Sequence, residues 1–450
     1  MARAKKEAAL TPEERLQAAL VPDWERPYKL PENWCWTTVG AINQYVGISA
    51  DPTKAKNKTF ELYSVPSSAD NYPEIVLGAD IGSTKQSVKK GDVLLCKINP
   101  RINRVWKVSK YTDHSLLASS EWIVIRNSGL ISNYLMWCFR SPYFRGYMLS
   151  NVSGVGGSLM RAQPKFVQGY PVPVPPLAEQ QRIVDRIESL FAKLDEAKEK
   201  AQAVVDSFEN RKAAILHKAF TGELTAKWRE EHGVGMESWE HHQFSDLCAI
   251  VRGGSPRPAG DPRYYDGNIP FMKVADITRN DSPYVSKVEY SIKEEGLKKT
   301  RMVEANTLLL TNSGATLGVP AITTIRTTFN DGIAAFIGLD IDSLLFYYYF
   351  WTSKTAFLRS INMGAAQPNL NTKLIGEVEI DVPQTAERVE IARVLNALLS
   401  KEQQAKEAAE AVLDQIDLMK KSILARAFRG ELGTNDPSEE SAVELLKQLI

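Results

Sequence analysis

ILHKAFTGEL, residues 215–224, returns 208 residues later as ILARAFRGEL, residues 423–432, with seven of the ten positions identical. At the same offset, PVPPLAEQQRIVDRIESLF (173–191) lies over DVPQTAERVEIARVLNALL (381–399). Pro175 meets Pro383, Ala178 meets Ala386, Glu179 meets Glu387 and Ile183 meets Ile391. The register then runs without a gap to Leu224 and Leu432. Further upstream QPKF at 163 is similar to QPNL at 367, and Trp24 and Trp34 have counterparts in Trp228 and Trp239. The chain therefore reads as two copies of one unit, each a globular head followed by a helix. The heads have diverged and the helices have not, so one scaffold position is used twice while the heads do different jobs.

The proline run PVPVPP marks the start of the first helix near Leu177, because proline lacks the donor a helix interior needs. Apolar or small residues recur at Ile183, Ile187, Leu190, Leu194, Ala197, Ala201, Val204, Phe208 and Ile215, broken only by Arg211. In the second copy the series is Ile391, Leu395, Leu398, Ala405, Ala409, Val412, Ile416, Met419 and Ile423, broken by Glu402. Such a heptad seam implies a partner helix, and each copy supplies the other's. Each helix should run ~40 residues, or ~60 Å, and end at Gly222 or Gly430, which suits a C-terminal cap. Packed antiparallel, the helices would place the heads at opposite ends of a rod, related by an approximate two-fold. Duplex DNA is a ligand of matching symmetry. A hairpin serving stability alone is the other reading, and it leaves the repeated AFxGEL unexplained.

The first copy continues past GELT into AKWREEH, whereas the second stops at GELG. The missing continuation resembles residues 24–34. The chain ends are thus expected to meet and make the organisation roughly cyclic.

At 450 residues the chain exceeds one core. No apolar run approaches the ~20 residues of a membrane helix, and the basic N-terminus has no apolar stretch behind it, so a secretory signal is not expected. Cys35, Cys96, Cys138 and Cys248 are scattered, which disfavours a zinc site or a disulfide framework. A cytoplasmic setting fits. The net charge of +1 conceals an asymmetry. Residues 26–175 hold 18 Lys+Arg against 9 Asp+Glu, a net of +9, while residues 236–382 hold 14 against 17, a net of −3. The first segment suits a polyanion.

In both heads short apolar strands alternate with Gly, Pro and Asn. GDVLLCKI (91–98), EWIVIRN (121–127), NTLLLTN (306–312) and IAAFIGL (333–339) read as strands. YLMWCFRSPYF (134–144) and LLFYYYFWTSKTAFLRS (344–360) read as amphipathic helices. The fold class is α+β: two mixed heads with largely antiparallel sheets, joined by a long antiparallel two-helix coiled coil. Candidate nucleic-acid contacts lie in loops. In the first head, Lys97, Arg101, Arg104 and Lys107 are interleaved with Asn99 and Asn103. Arg and Lys suit phosphate and guanine, and Asn suits adenine. In the second, RGGSPRP (252–258) offers Arg252, Ser255 and Arg257, and TNSGATLG (311–318) offers Asn312, Ser313 and Thr316. A solvated hairpin and a plain turn remain open alternatives for these loops. Gln163 and Gln367 read as turn residues.

No catalytic constellation is present. There is no phosphate-binding G-x-x-x-x-G-K-[ST] loop. SPYF (141–144) lacks the second proline of a methyltransferase motif, and SGVGGS (153–158) is not placed as a cofactor loop. The five histidines show no metal-ligand spacing.

The layout resembles the DNA-specificity subunit of a type I restriction–modification system. LPENWCWTTVG, GDVLL, VPVPPLAEQQRIVDRIE, AILHKAFTGELTAKWREEH, RGGSPRP…YYDGNIPF, GAAQPNLN and SILARAFRGEL carry the resemblance over most of the chain. The one departure is PQTAERVEI where the first copy has PPLAEQ. The resemblance implies target recognition domains at 26–175 and 231–382, each reading half of a split DNA site. It implies conserved helices at 176–230 and 383–432 that set the unspecified gap. Accessory helices are expected at 1–25, where Thr11-Pro12-Glu13-Glu14 forms a capping box, and at 433–450. It further implies two methyltransferase (modification) subunits carrying S-adenosylmethionine, two restriction subunits using ATP and Mg, and no cofactor or catalytic residue on this chain. A scaffold with paired protein-binding heads and no DNA affinity is the alternative. A stand-alone methyltransferase is disfavoured by the missing motifs.

Overall fold

The structure is a computed structural model that describes residues 10–154, 160–360 and 370–450. Gln367 and most of SGVGGS lie outside these. The chain forms two compact units. One comprises the described residues up to Ala201 together with Ala411–Ile450, the other Gln202–Glu410. Each unit therefore combines one head with the beginning of one long helix and the end of the other.

The long helices span Leu177–Phe220 and Thr385–Ala427. Each stops where expected, at a glycine in the left-handed region: Gly222 at φ +80° and Gly430 at φ +73°. A Cβ there would also collide, at 2.5 Å from Met236 Sδ and 2.4 Å from Pro31 Cγ. The pairing is antiparallel within each unit. In the second, Lys406 Nζ lies 4.8 Å from the Phe208 ring, Arg211 bonds Glu402 and Arg229 bonds Glu387, so the partner number falls as the chain advances. In the first, Lys420 meets Asp195 and Phe191, while Ile183 and Ile187 share a core with Leu424 and Phe428.

Most of the expected seam is inside. Ile183, Ile187, Phe208, Ile391, Leu395 and Ile416 are buried, and Leu190, Leu194, Leu398 and Ile423 are half-buried. Val412 is a correction: it is 42% exposed, and Met419 beyond it 46%. A straight helix drifts ~20° per heptad against a strict seven-residue series. Val412 stands three heptads beyond Ile391, so it has rotated off the face, and half-buried Leu413 replaces it.

The repeated helix ends meet the repeated helix starts. In the second unit buried Glu387 accepts from Thr225 Oγ1 (2.7 Å), Arg229 Nη1 (2.6 Å) and Trp239 Nε1 (3.1 Å). In the first, buried Glu179 accepts from Thr434 Oγ1 (2.6 Å) and Arg182 Nε (3.0 Å), and Arg182 also bridges to Glu439 at 2.7 Å. The phenylalanine of AFxGEL is equally constrained. Phe428 lies 5.4 Å from Tyr134, and Phe220 lies 5.4 Å and 5.6 Å from Phe346 and Phe350, each ring seated against its head's helix. Both helix ends thus need the same residues.

Each head has a neck of two antiparallel strands, Cys35–Thr38 with Pro171–Val174 and Glu240–Gln243 with Glu379–Val382. Above it the first head carries a five-stranded sheet and a three-stranded antiparallel sheet, the latter with Val93–Cys96 between Val105–Lys107 and Trp122–Ile125. The second carries a five-stranded and a four-stranded sheet. Pairing is mostly antiparallel, with parallel exceptions such as Thr59–Tyr63 beside Ser115–Ala118. The aromatic stretch of the first head is two helices, Ser132–Arg140 and Pro142–Ser150, because Ser141 caps the second and Pro142 opens it. The second head has one helix, Leu344–Ser360.

The N-terminal helix Pro12–Ala19 has the expected capping box and packs near the last helix, Ala442–Leu449, with Arg15 Nη1 donating to the Ile450 carbonyl at 3.2 Å. Residues 28–34 meet the end of the second long helix through Tyr28 to the Phe428 carbonyl (2.9 Å) and Trp34 Nε1 to Asn435 Oδ1 (3.0 Å).

Candidate nucleic-acid interface

In the first head, the loop after Val93–Cys96 returns at Val105–Lys107. Backbone bonds pin its base: Lys97 N to Glu121 O (3.0 Å), Ala162 N to Lys97 O (2.8 Å) and Asn99 N to Met160 O (2.7 Å). Asn99 takes a left-handed φ of +46°, which asparagine tolerates, and its Oδ1 is buried without a partner. Asn103 faces inward and donates Nδ2 to the Arg140 carbonyl at 2.9 Å. Lys107 turns to the head's helix and donates to Asn133 Oδ1 at 2.5 Å. Each thus gives one bond to a helix group, which leaves Lys107 two further donors and Asn103 its Oδ1 acceptor. Arg145 donates to the Arg101 carbonyl, which holds the tip and leaves the Arg101 side chain exposed. Lys97 and Arg104 are half-buried beside it. Among the described residues no ion pair joins Lys97, Arg101 or Arg104.

In the second head the two loops singled out separately converge. Their meeting point is the turn Asn330-Asp331-Gly332 between the strands Thr327–Phe329 and Ile333–Ile337. From one side, Arg252 Nε donates to the Asp331 carbonyl at 2.7 Å and Ser255 Oγ to Asp331 Oδ1 at 2.5 Å. The glycine pair permits this approach: a Cβ at Gly253 would sit 2.2 Å from the Asn330 carbonyl oxygen. From the other side, Asn312 N donates to the Gly332 carbonyl at 2.9 Å. The Asn312 side chain, expected as a contact, is fully buried, and neither of its amide atoms has a partner. The strand ends at Thr311, and the Asn312 backbone is held on both sides, donating to the Gly332 carbonyl and accepting from Leu370 N at 2.7 Å. Ser313 is half-buried and Thr316 exposed.

Arg257 is open, with a side chain 72% exposed and Nη2 3.6 Å from Asp331 Oδ2. A cavity of about 280 Å³ opens here, lined by Ser255, Arg257, Lys273, Tyr290, Asn330 and Asp331 among others. Lys273 Nζ stands 3.1 Å above the Tyr290 ring. Asn330, Asp331 and Lys273 were missed in the sequence. The signal available was the N-D-G tripeptide, a strong turn signature between two apolar runs.

Burial pushes the thiols of Cys35 and Cys248 up to about 12, which removes thiolate chemistry at neutral pH. Among the described residues no group of three or more His, Cys, Asp or Glu is placed to hold a metal ion, and no helix is long and apolar enough to cross a membrane. What the site offers is arrayed donors and acceptors.

Comparison with known proteins follows the same division. The type I restriction modification DNA specificity domain matches twice, at residues 47–205 and 236–411. The type I restriction enzyme EcoKI specificity subunit of Escherichia coli K12 is 21% identical over 432 residues, 90% of each chain. The StySPI specificity subunit of Salmonella potsdam is 25% identical over 67% of this chain, which spans 65% of that relative's length. Among solved structures, the HsdS subunit from Thermoanaerobacter tengcongensis aligns with a TM-score of 0.68 at 21% identity, over 91% of this chain and 100% of that one. A chain solved for complex assembly and conformational transition of the type I R-M system aligns at 0.67, over 90% of this chain and 100% of that one. These structural likenesses are of fold.

Proposed function

The chain belongs to the type I restriction–modification DNA specificity family, and from that premise we propose that it is the subunit that recognises DNA sequence for such a complex. Its two heads read the two halves of a split site on double-stranded DNA, residues 26–175 one half and residues 231–382 the other. The long helices set the unspecified gap between the halves and dock two methyltransferase subunits. S-adenosylmethionine and adenine methylation belong to those subunits, and ATP and Mg to two restriction subunits. This chain carries no catalytic step, and the assembly works in the cytoplasm.

The observation that supports this most is the double match of the family model, one copy on each head, with a long helix following each. A duplicated head on a duplicated helix suits a ligand read at two points. The basic first head would contribute phosphate contacts, with the steep salt dependence they bring. The experiment is to co-express the chain with its modification subunit, purify the complex and map methylated adenines in the host DNA. Two short defined halves with a fixed gap are expected, and exchanging residues 26–175 for those of a relative should change one half alone. A stable, competent complex that methylates no split motif would overturn the reading.

A further inference from the structure

Asp331 is an acceptor held ready. Its carbonyl is fixed by Arg252 and its Oδ1 by Ser255, so neither the turn nor the carboxylate can rotate freely. That leaves Oδ2, on a side chain 45% exposed. Beside it stands the Arg257 guanidinium, 3.6 Å away, beyond a good hydrogen bond, and 72% exposed. An ion pair this long and this open adds next to nothing to stability. What it does is present a fork of donors and a fixed acceptor side by side at the mouth of the cavity.

Below it, Asn312 and Asn330 leave three buried amide atoms without partners. Folded proteins satisfy nearly all such atoms.

The chemistry of the pair narrows the ligand. A phosphate backbone is matched by cations, and a fixed carboxylate there is repelled. A base-pair edge is different. Guanine shows two acceptors in the major groove, O6 and N7, and its cytosine partner shows a donor, N4–H₂. A guanidinium beside a carboxylate complements that edge. With an A·T pair the carboxylate would meet the thymine O4 acceptor in the same place, and with a T·A pair it would meet the adenine amino group while the thymine methyl replaces one of the two acceptors the guanidinium needs.

We propose that Arg257 and Asp331 together read one G·C base pair in the half-site of the second head, Arg257 on guanine and Asp331 on the cytosine amino group. This rests on the DNA-recognition reading above. An acid that reads a base gives up affinity for selectivity. Ser255 and Arg252 act through Asp331 as positioning residues.

The test uses the full chain assembled with its modification subunits and a duplex library randomised at every position of the recognised site. Preference is read base pair by base pair. Wild type is expected to show a G·C pair in the half that follows the second head. Arg257→Ala should lower preference at that one pair by roughly tenfold and leave the other half unchanged. Asp331→Asn keeps an oxygen for Ser255 and loses the acceptor for cytosine, so the same position should relax while binding to unrelated duplex rises. Unchanged preferences in both variants overturn the proposal. So does a uniform loss of affinity in Arg257→Ala without altered preference, which marks a phosphate contact. If Asp331→Asn fails to fold, Arg257→Ala decides alone, since its exposed side chain supports no core. A wild-type complex with no split preference fails the functional reading itself, a separate outcome.

Discussion

Arg211 Nε donates to Glu402 Oε2 across 2.7 Å. Each residue interrupts the apolar series of its own long helix, and within the second unit the two interruptions face one another. Neither break is a defect. A slip of the pairing by one turn would set each charge against an apolar neighbour, so the pair fixes the register, as single polar residues do in coiled coils.

Removing one partner should therefore cost more than removing both. The side chains are 34% and 25% exposed, which places the pair between an exposed bridge and a buried one. Arg211→Leu or Glu402→Leu alone should destabilise by on the order of 1–3 kcal/mol. The double Leu variant should lie close to wild type in urea unfolding, because an apolar pair fills the same seam without desolvating a charge. Additive single losses would show that the two residues act independently.

The corrected seam separates two residues the heptad series treats alike. Ile187 is fully buried and Val412 is 42% exposed. Ile187→Ala should cost about 2–5 kcal/mol. Val412→Ala should stay within about 0.5 kcal/mol. Thermal unfolding monitored by circular dichroism checks both, and equal losses would restore Val412 to the interface.

The duplication, both long helices and their glycine stops were legible because each is a local pattern, and the repeat doubled the signal. The strands around Leu94 and Leu309 were legible for the same reason. The failures have one physical source, which is that a side chain's direction depends on partners distant in sequence. Asn312 follows an apolar strand and looks like a loop residue, yet backbone bonds to Gly332 and Leu370 bury it. Lys107 gives one of its three donors to Asn133, on a helix that only the fold brings beside it. Asp331 was invisible as a site residue because only the fold brings Ser255 and Arg252 to it. Val412 was misplaced by a periodicity slightly different from that of a straight helix.

The Glu387 junction should be among the most sensitive points of the second unit. The carboxylate is 1% exposed and the Arg229 guanidinium 8%, and Thr225 and Trp239 complete its bonds. Arg229→Met leaves a buried carboxylate uncompensated, which costs about 3–5 kcal/mol. Following it with Glu387→Gln should recover part of the loss, since the amide needs no counter-charge. Unfolding midpoints of the two variants decide this, and a double variant worse than Arg229→Met would mean that the carboxylate holds the junction without the arginine.

Glu61 gives the first head a pH dependence with a definite sign. Its carboxylate is buried, which alone would raise its pKa. The Tyr63 hydroxyl (2.7 Å), the Tyr111 amide (3.0 Å) and the Thr112 amide and hydroxyl (2.8 Å each) more than reverse this and hold it below the ordinary 4.5. A carboxyl lowered by folding stabilises the native state above its unfolded value and loses that contribution as pH falls through the folded one. The first head should therefore lose stability as pH drops below about 4.5. Glu61→Gln should be less stable at neutral pH by on the order of 1–3 kcal/mol, having exchanged charge-assisted bonds for neutral ones. Its deficit against wild type should shrink as pH falls, because protonation removes the same charge that the substitution removes. Urea unfolding at pH 7 and pH 4 measures both deficits. A constant difference would mean that the carboxylate titrates alike in folded and unfolded chains, and that the ring of donors around Glu61 does not favour its charge.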